Sequence, residues 1–365
     1  QNDSNLKNDF ISPKRILVFS LDNISLDTCS FIKNNKNLFP NLYRYFSNSK
    51  FVQPKSSVTI SNWTQPAALS MLSSKRFEEH RIFHNETYPY MYLNAESYIT
   101  DKKQNLKFLK DNYKERYRTG SCWRLRQHQG PHSLFTMCNS NIYDGDCYDT
   151  LSQTLRYLSI ADINKSFHWV DIMDTHHPIH NNILPFGSMK YIDNELNTLG
   201  YSYETSPKIK NSKHIESSSG IYISQLISID KIINIILEES FRYIPKEEHL
   251  IVFVSDHGTG FLNQKNEYTK TKEKFNSLVG FYYENFSKEI QSSLENNNYY
   301  PANLLKIVES ISRNEHQIIE NFNKSDSNYS QVFYPGSNYE FNYFDANNNI
   351  YKFKTYSKIP KKQSF

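Results

Sequence analysis

The sequence predicts an α/β protein whose mostly parallel central sheet is flanked by helices, with a small C-terminal antiparallel subdomain. Three short runs are almost continuously apolar, as expected of strands that are covered on both faces. These runs are Arg15–Leu21, Phe167–Met173 and Leu250–Ser255. Stretches with helical spacing lie between them, and strands that alternate with helices typically form a parallel sheet.

Three segments have the apolar spacing of helices. The first follows Phe39 in FPNLYRYF, and the second follows Ala67 in AALSML. The clearest ends at Phe241 in ISQLISIDKIINIILEESF, where apolar residues recur every three or four positions. We therefore expect one long amphipathic helix and two shorter ones.

The chain becomes polar and rich in Asn beyond Tyr282. Near its end, YEFNYFDANNNIYKFKTY alternates in polarity and turns between Asp345 and Asn349, which predicts a β-hairpin. We therefore expect an α/β catalytic domain over residues 14–324 and a small β subdomain over residues 325–365, packed on it. The polar segment from Asn181 to Lys213 predicts a long surface excursion near the site.

Charge and hydropathy exclude several classes of partner. The net charge is +4 and the basic residues are scattered among acids, so we expect no nucleic-acid partner. We expect no transmembrane segment and no signal peptide in this chain. A cytoplasmic location is favoured, with the periplasm or a membrane surface as the alternative if a segment upstream of Gln1 was removed.

The cysteines form no C-x-x-C pair, so we expect free thiols, with a Cys138–Cys147 bridge as the alternative.

Acidic and imidazole side chains directly follow all three predicted strands. Because ligands of open α/β sheets bind beyond the carboxyl ends of the strands, we expect these side chains to share one site. They are Asp22 after the first strand, Asp174, His176 and His177 after the second, and Asp256 and His257 after the third. The mixed oxygen and nitrogen set favours Zn²⁺ or Mn²⁺, with Ca²⁺ or Mg²⁺ as alternatives.

A hydroxyl nucleophile is available in SNWTQPAALSML, where Thr64 precedes a proline and a helix-forming run. A hydroxyl at a helix N-terminus lies in a positive field that favours an anionic substrate. A bound metal would lower the pKa of such a hydroxyl and neutralise charge on a phosphoryl or sulfuryl oxygen. The alternative is that Thr64 only caps the helix.

Six segments, in order, resemble motifs of the alkaline phosphatase and sulfatase superfamily. LVFSLDN resembles its opening strand, and FPNLYRYF resembles its T-P-N-L-D-x-L helix. WTQPAALSMLSSKRFEEH resembles the nucleophile segment C-x-P-S-R-x-x-L-L-T-G-R-x-x-x-x-H. YRTGSCWRLR resembles Y-R-T-G-x-x-G-K-W-H, VDIMDTHHP resembles D-P-H-x-P, and IVFVSDHGTG matches T-S-D-H-G. The C-terminal hairpin is also similar, so the resemblance reaches from about residue 14 to residue 355.

The resemblance implies roles for individual residues. Thr64 falls at the nucleophile, and His176 falls on the histidine that contacts the substrate or leaving group. The implied metal ligands are Asp22, Thr64, Asp256 and His257, with Asn23 as a weaker ligand where the family has a second acid. The implied substrate-binding residues are Lys75, His80, Arg124 and Arg126.

Alternatives remain for several of these roles. Arg124 and Arg126 would face one side of a strand and clamp a charged headgroup, unless they only decorate an exposed edge strand. The alternative for Lys75 and His80 is that they bind no substrate and only extend into solvent at the end of a helix. We expect one metal ion; a second ion, held by Asp174, His176, His177 and His180, is the alternative.

Two departures from the sulfatase motif narrow the expected reaction. Thr64 replaces the Cys or Ser that sulfatases oxidise to formylglycine, and Ala68 replaces the arginine of P-S-R. Superfamily members with Thr at the nucleophile position form a phospho-threonine intermediate. We therefore expect a metal-dependent transferase that moves a phosphoryl-type headgroup from an anionic phosphodiester-type donor to a glycan or lipid hydroxyl. The alternatives, in order, are a phosphodiesterase or phosphatase, a sulfatase, and an inactive binding relative.

Overall fold

A computed structural model describes much of the chain, including all three predicted strands. The described residues are 10–59, 67, 70–72, 74, 107–119, 147–160, 165–172, 174–175, 219–258, 276–317, 319, 329–333, 339–344 and 350–355. The predicted surface excursion and the alternative Cys138–Cys147 bridge lie outside them. Cys29 is a buried free thiol, and burial raises its pKa to about 11.

The central sheet has six strands, in the order β2-β7-β6-β1-β5-β4. Strands β4, β5, β1 and β6 are parallel, whereas β7 runs antiparallel to β6 and β2 runs antiparallel to β7. A separate parallel pair joins β3 to β8. The strands are β1 Arg15–Leu21, β2 Phe51–Val52, β3 Ser56–Ser57, β4 Lys114–Thr119, β5 Ser166–Ile172, β6 His249–Val254, β7 Val279–Tyr282 and β8 Asn298–Tyr299.

The predicted mostly parallel sheet is confirmed. Its three central strands β6, β1 and β5 are the three apolar runs of the sequence, to within one residue at each end. Arg15 pairs with both Ser166 and His249, so the three strands start level with one another. Their carboxyl ends therefore lie at the same edge of the sheet.

Seven α-helices can be given bounds in the described part of the chain. They are α1 Leu26–Asn34, α2 Pro40–Phe46, α3 Lys107–Asn112, α4 Cys147–Ile160, α5 Ser219–Tyr243, α6 Lys288–Asn296 and α7 Leu304–Arg313. α2 and α5 confirm two of the predicted helices, and Ala67 and residues 70–72 of the third are helical. Among the described helices, none combines the length and apolar character needed to cross a membrane.

Side chains alternate between two buried cores along β1. Leu17, Phe19 and Leu21 belong to one core with residues of α1, α2 and α5. Ile16 and Val18 belong to the other, with residues of α6 and α7. Because both faces of the sheet are covered, its central strands are apolar throughout rather than alternating.

Buried charges fix two helix ends. Asp230 of α5 accepts hydrogen bonds from the backbone N–H of Leu42 (2.7 Å) and the side-chain amide of Asn41 (2.8 Å), and so caps the N-terminus of α2. Near the C-terminal end of α5, the fully buried Arg15 donates to the carbonyl (3.4 Å) and hydroxyl (2.9 Å) of Ser240. A cation is favourable there because the C-terminus of a helix is its negative end.

An antiparallel three-stranded sheet follows near the C-terminus. It consists of β9 Tyr329–Phe333, β10 Tyr339–Phe344 and β11 Ile350–Thr355, in the order β11-β10-β9. The predicted hairpin is confirmed, and β9 adds a strand to it. The subdomain boundary at residue 325 lies outside the described residues and stays a prediction.

Candidate metal centre

Two neighbouring strands deliver the candidate site. β1 and β6 are parallel partners, with Ser20 opposite Val254, so the chain leaves both strands at one edge. Asp22 follows β1 directly, and its backbone N–H donates to the carbonyl of Ile172 at the end of β5 (3.1 Å). Asp256 follows two residues after Val254. The strand register therefore brings the two aspartates together.

Asp22, Asp256 and His257 form a compact group. Each offers one ligand atom, and these atoms all lie within 4.8 Å of one another. The three residues are 2%, 2% and 4% exposed. Among the described residues, they are the one group of three acidic, histidine or cysteine side chains close enough to share an ion.

The imidazole of His257 is oriented by its own segment. Its Nδ1 lies 3.0 Å from the carbonyl oxygen of Gly258. Since a carbonyl only accepts, Nδ1 carries a proton, and in the neutral imidazole Nε2 then presents a lone pair. Nε2 lies 3.4 Å from Oδ2 of Asp256, so both atoms can contact the same ion.

The carboxylate of Asp256 is fixed from its other side. Its Oδ1 accepts hydrogen bonds from the backbone N–H groups of Asn23 (3.1 Å) and His257 (2.8 Å). The first of these bonds joins the turn after β1 to the turn after β6. It also directs Oδ2 of Asp256 towards His257.

Asn23 is a turn residue in this structure. It has a φ of 60°, in the left-handed region that Asn tolerates better than most residues. It is fully buried, and its side-chain amide nitrogen donates to the carbonyl of Thr175 (3.2 Å). Its predicted role as a weak metal ligand stays a prediction.

Two hydroxyl groups hold the turn after β1. Thr175 donates from Oγ1 to the carbonyl of Asp22 (2.5 Å), and Tyr222 of α5 donates to the carbonyl of Asn23 (2.9 Å). Both donors are fully buried. These two donors cannot be predicted from the sequence, because no local pattern marks a Thr or Tyr as the partner of a distant carbonyl.

Two more hydroxyl groups hold the turn after β6. Thr59 donates to the carbonyl of Asp256 (2.5 Å), and Ser255 donates to the carbonyl of His257 (2.6 Å). Ser255 also accepts from the backbone N–H of Ile24 (2.9 Å). All four candidate residues of the two turns thus have their carbonyls held by a side-chain hydroxyl.

The donor set fits a divalent cation. Two carboxylates and one imidazole supply the mixed oxygen and nitrogen ligands that Zn²⁺ and Mn²⁺ accept. The three described side chains would fill three positions of a four-coordinate site and leave the fourth to a further group. The residues present therefore fit a divalent ion.

Comparison with solved structures identifies the fold. The C-terminal periplasmic domain of EptC from Escherichia coli is similar with a TM-score of 0.51 and 14% identity, over 82% of each chain, and its zinc complex matches equally. The soluble domain of lipooligosaccharide phosphoethanolamine transferase A from Neisseria meningitidis has a TM-score of 0.52 and 10% identity, over 82% of this chain and 88% of that one. The lipoteichoic acid synthase LtaP from Listeria monocytogenes has a TM-score of 0.52 and 10% identity, over 93% of this chain and 87% of that one. This chain therefore has the same fold as these phosphoethanolamine transferase and lipoteichoic acid synthase domains. No protein-family profile matches the sequence, and no curated protein sequence matches it either.

Part of the segment that resembles the superfamily's nucleophile motif is described. Met71 and Leu72 are helical and belong to the same core as Val254, whose strand leads to Asp256. Ser74 occupies the glycine position of the superfamily motif and has a φ of 55°, a left-handed conformation that glycine adopts freely.

The remaining predicted residues of the superfamily site lie outside the described part of the chain. They are Thr64, Lys75, His80, Arg124, Arg126 and His176, and their roles stay predictions. The alternative second ion also stays untested, because His176, His177 and His180 are outside it too. The residue before His176 is Thr175, which is described, and its hydroxyl donates to the carbonyl of Asp22.

Proposed function

We propose that this protein is a metal-dependent phosphotransferase whose divalent ion, Zn²⁺ or Mn²⁺, is held by Asp22, Asp256 and His257. The observation that carries the proposal is the buried convergence of these side chains, with ligand atoms within 4.8 Å. The similar Escherichia coli domain is known in complex with zinc, which supports the choice of metal.

Electrostatics favour an ion at this position. Asp22 and Asp256 are both almost fully buried and their carboxylates are close together. Burying two like charges is strongly unfavourable unless positive charge offsets them. When bound, a divalent ion would supply that charge, lower the pKa of a coordinated hydroxyl and neutralise a phosphoryl oxygen.

Thr64 is the proposed nucleophile, on the strength of its sequence motif. Its Oγ attacks the donor phosphorus, so that an Oγ–P bond forms and the P–O bond to the donor's alcohol breaks. The hydroxyl proton of Thr64 ends on the departing alcohol, and His176 contacts that leaving group. A glycan or lipid hydroxyl then attacks the same phosphorus, the Oγ–P bond breaks, and the acceptor's proton returns to Thr64.

The proposed substrates are an anionic donor and a hydroxyl acceptor. Arg124 and Arg126 bind the charged headgroup, with Lys75 and His80 as further contacts. Guanidinium groups suit this role because they pair with phosphate oxygens through two parallel hydrogen bonds. The names of two similar proteins, a lipooligosaccharide phosphoethanolamine transferase and a lipoteichoic acid synthase, support a glycan or lipid acceptor.

Intact-mass measurement tests the covalent step. The protein is incubated with phosphatidylethanolamine or phosphatidylglycerol, without an acceptor, and its mass is measured. We expect the mass to rise by one headgroup in the wild type, partly in Thr64→Ser, and not in Thr64→Ala. Adding an acceptor should then remove the headgroup faster than water does, whereas equal rates would indicate a hydrolase.

The alternative role of Thr64 as a helix cap has a different signature. Thr64→Ala would then lose about 0.5–2 kcal/mol of stability with little loss of rate per folded molecule. The melting curve and the turnover rate are therefore measured on the same variant. Turnover within a few-fold of the wild type would refute the covalent mechanism.

A further inference from the structure

Four buried side-chain hydroxyls lie around the candidate metal centre. They belong to Thr59, Thr175, Tyr222 and Ser255, and we call them the hydroxyl collar. They donate respectively to the carbonyls of Asp256, Asp22, Asn23 and His257. They belong to four separate places in the fold, after β3, after β5, on α5 and after β6. We propose that the collar sets the metal affinity of the site by holding its ligands in position, an inference that rests on the proposed metal site.

The ligands need such support because they leave the sheet before they converge. Beyond the ends of β1 and β6, a chain segment no longer has the regular ladder of backbone hydrogen bonds. Asp22 and Asp256 must nevertheless stay close enough to share an ion, against the repulsion of like charges. Hydroxyls that fix the backbone beneath each ligand remove that freedom before the ion binds, so less binding free energy is spent on ordering.

Ser255 connects the two ligand-bearing turns directly. Its hydroxyl donates to the carbonyl of His257 (2.6 Å) and accepts from the backbone N–H of Ile24 (2.9 Å). One fully buried oxygen therefore links the turn that carries Asp22 to the turn that carries His257. The separation of their ligand atoms depends on this link.

Thr175 connects a third strand to the same centre. Its hydroxyl donates to the carbonyl of Asp22, and its own carbonyl accepts from the side-chain amide of Asn23 (3.2 Å). This reciprocal pair fixes the end of β5 against the turn after β1.

Zinc affinity of the full chain tests the collar. Tyr222→Phe removes one hydroxyl that contacts the Asn23 carbonyl and, at 3.4 Å, the hydroxyl of Thr28. Thr175→Val removes the hydroxyl bonded to Asp22, whereas Thr175→Ser keeps it. Competition with a chelating dye measures the affinity for Zn²⁺. Loss of a positioning contact around metal ligands typically weakens binding about 10–100-fold, and we expect this for Tyr222→Phe and Thr175→Val.

Tyr113→Phe is the matched control. The hydroxyl of Tyr113 is also buried and also donates to a backbone carbonyl, that of Pro13 (3.0 Å). This bond lies at the opposite end of β1, roughly 20 Å from the site for a strand of that length. Thr175→Ser and Tyr113→Phe should bind zinc within about twofold of the wild type, even where their melting temperatures fall.

The outcomes separate this inference from the proposed function. If the wild type binds zinc and Tyr222→Phe and Thr175→Val bind it as tightly as Tyr113→Phe, the collar does not set the affinity and the metal site stands. If the wild type binds neither zinc nor manganese, the metal site and the collar are both wrong. Weaker zinc binding in Tyr222→Phe and Thr175→Val alone, restored by Thr175→Ser, supports the collar.

Discussion

Nε2 of His257 lies 3.4 Å from Oδ2 of Asp256, and the opposite atom of each group is held by the backbone. Nδ1 of His257 donates to the carbonyl of Gly258, and Oδ1 of Asp256 accepts from the N–H of Asn23. Each side chain therefore uses one atom for its own orientation and directs the other towards its neighbour. Such an arrangement is typical of ligands whose outer contacts fix the ring tautomer and the direction of the carboxylate.

The first prediction concerns the metal itself. Asp256→Asn keeps an amide oxygen that can still accept from Asn23 and His257, but it removes the anionic Oδ2. We expect this variant to lose its bound metal and its turnover, while its melting temperature without metal stays close to that of the wild type. Elemental analysis of the purified protein measures the metal content.

Asp230→Asn is the control for this experiment, because Asp230 is also a fully buried aspartate but caps α2 instead. It should keep the metal content of the wild type and lose some stability. Equal metal content in Asp256→Asn and the wild type would contradict the ligand assignment.

The second prediction concerns Arg124. Arg124→Ala should lower kcat/KM about tenfold to a hundredfold, because a charge-assisted contact to an anionic donor contributes about 1.5–3 kcal/mol. Its melting temperature should change little. Arg313→Ala is the control, since Arg313 is an exposed arginine at the end of α7, where it pairs with Glu309 and lies over the ring of Phe108. A loss below about twofold in Arg124→Ala would favour the alternative of an edge-strand surface residue.

The sequence predicted the elements whose residues carry a strong local pattern. β1 was predicted residue for residue, because all seven of its positions are buried and only its first and sixth residues are polar. β2, β3 and β8 have two residues each and show no periodicity, so no sequence pattern could reveal them. β7 was missed for a related reason, since its four residues include Gly280, which contacts the Phe51 ring closely.

The same distinction applies to the site. Asp22, Asp256 and His257 could be predicted because each lies next to a strand end, which is a local signal. The hydroxyl collar could not be predicted, since its contacts join positions that are distant in sequence. Thr175 and Asp22 are 153 residues apart, and Tyr222 and Asn23 are 199 residues apart. Such partners are defined only when α5 and β5 pack beside β1.

The third prediction concerns Ser74. Its φ of 55° is unfavourable for any residue with a Cβ, and its buried hydroxyl has no hydrogen-bond partner among the described residues. Ser74→Gly should therefore raise the free energy of unfolding by about 1 kcal/mol, after the greater flexibility of glycine in the unfolded chain is counted. Urea unfolding measures the change. Ser74→Ala separates the two causes, because it removes the hydroxyl and keeps the strained backbone; an equal gain in Ala and Gly would contradict the conformational explanation.

The fourth prediction concerns the pH dependence of stability and rests on His249. Its Nδ1 donates to the carbonyl of Pro245 (2.9 Å), and its Nε2 lies 2.7 Å from the hydroxyl of Ser240, which also accepts from Arg15. The neutral imidazole fits this arrangement, because Nε2 can accept from Ser240. Burial lowers the pKa of His249 to about 4; the Pro245 carbonyl raises that pKa, and the charge of Arg15 lowers it.

The sign of the effect follows from the two states. An unfolded histidine has a pKa of about 6.5, so between about pH 6.5 and pH 4 the unfolded chain binds a proton that folded His249 does not. The free energy of unfolding therefore falls as the pH is lowered through this window. The contribution of His249 is roughly 3 kcal/mol in total. Asp230 acts in the opposite direction, because burial raises its pKa to about 6 and the folded state takes up its proton first.

His249→Gln isolates the histidine from the other titrating groups. Glutamine can still hydrogen-bond to Ser240 but does not titrate, so the variant should be less stable than the wild type at about pH 7.5 and lose less stability on acidification. Urea unfolding of both proteins from about pH 7.5 to about pH 4.5 gives two curves of stability against pH. Their difference should shrink steadily below about pH 6.5, because protonation of unfolded His249 penalises only the wild type. Two parallel curves would show that His249 is not held neutral in the fold, and that the buried contact between Arg15 and Ser240 tolerates a second positive charge beside it.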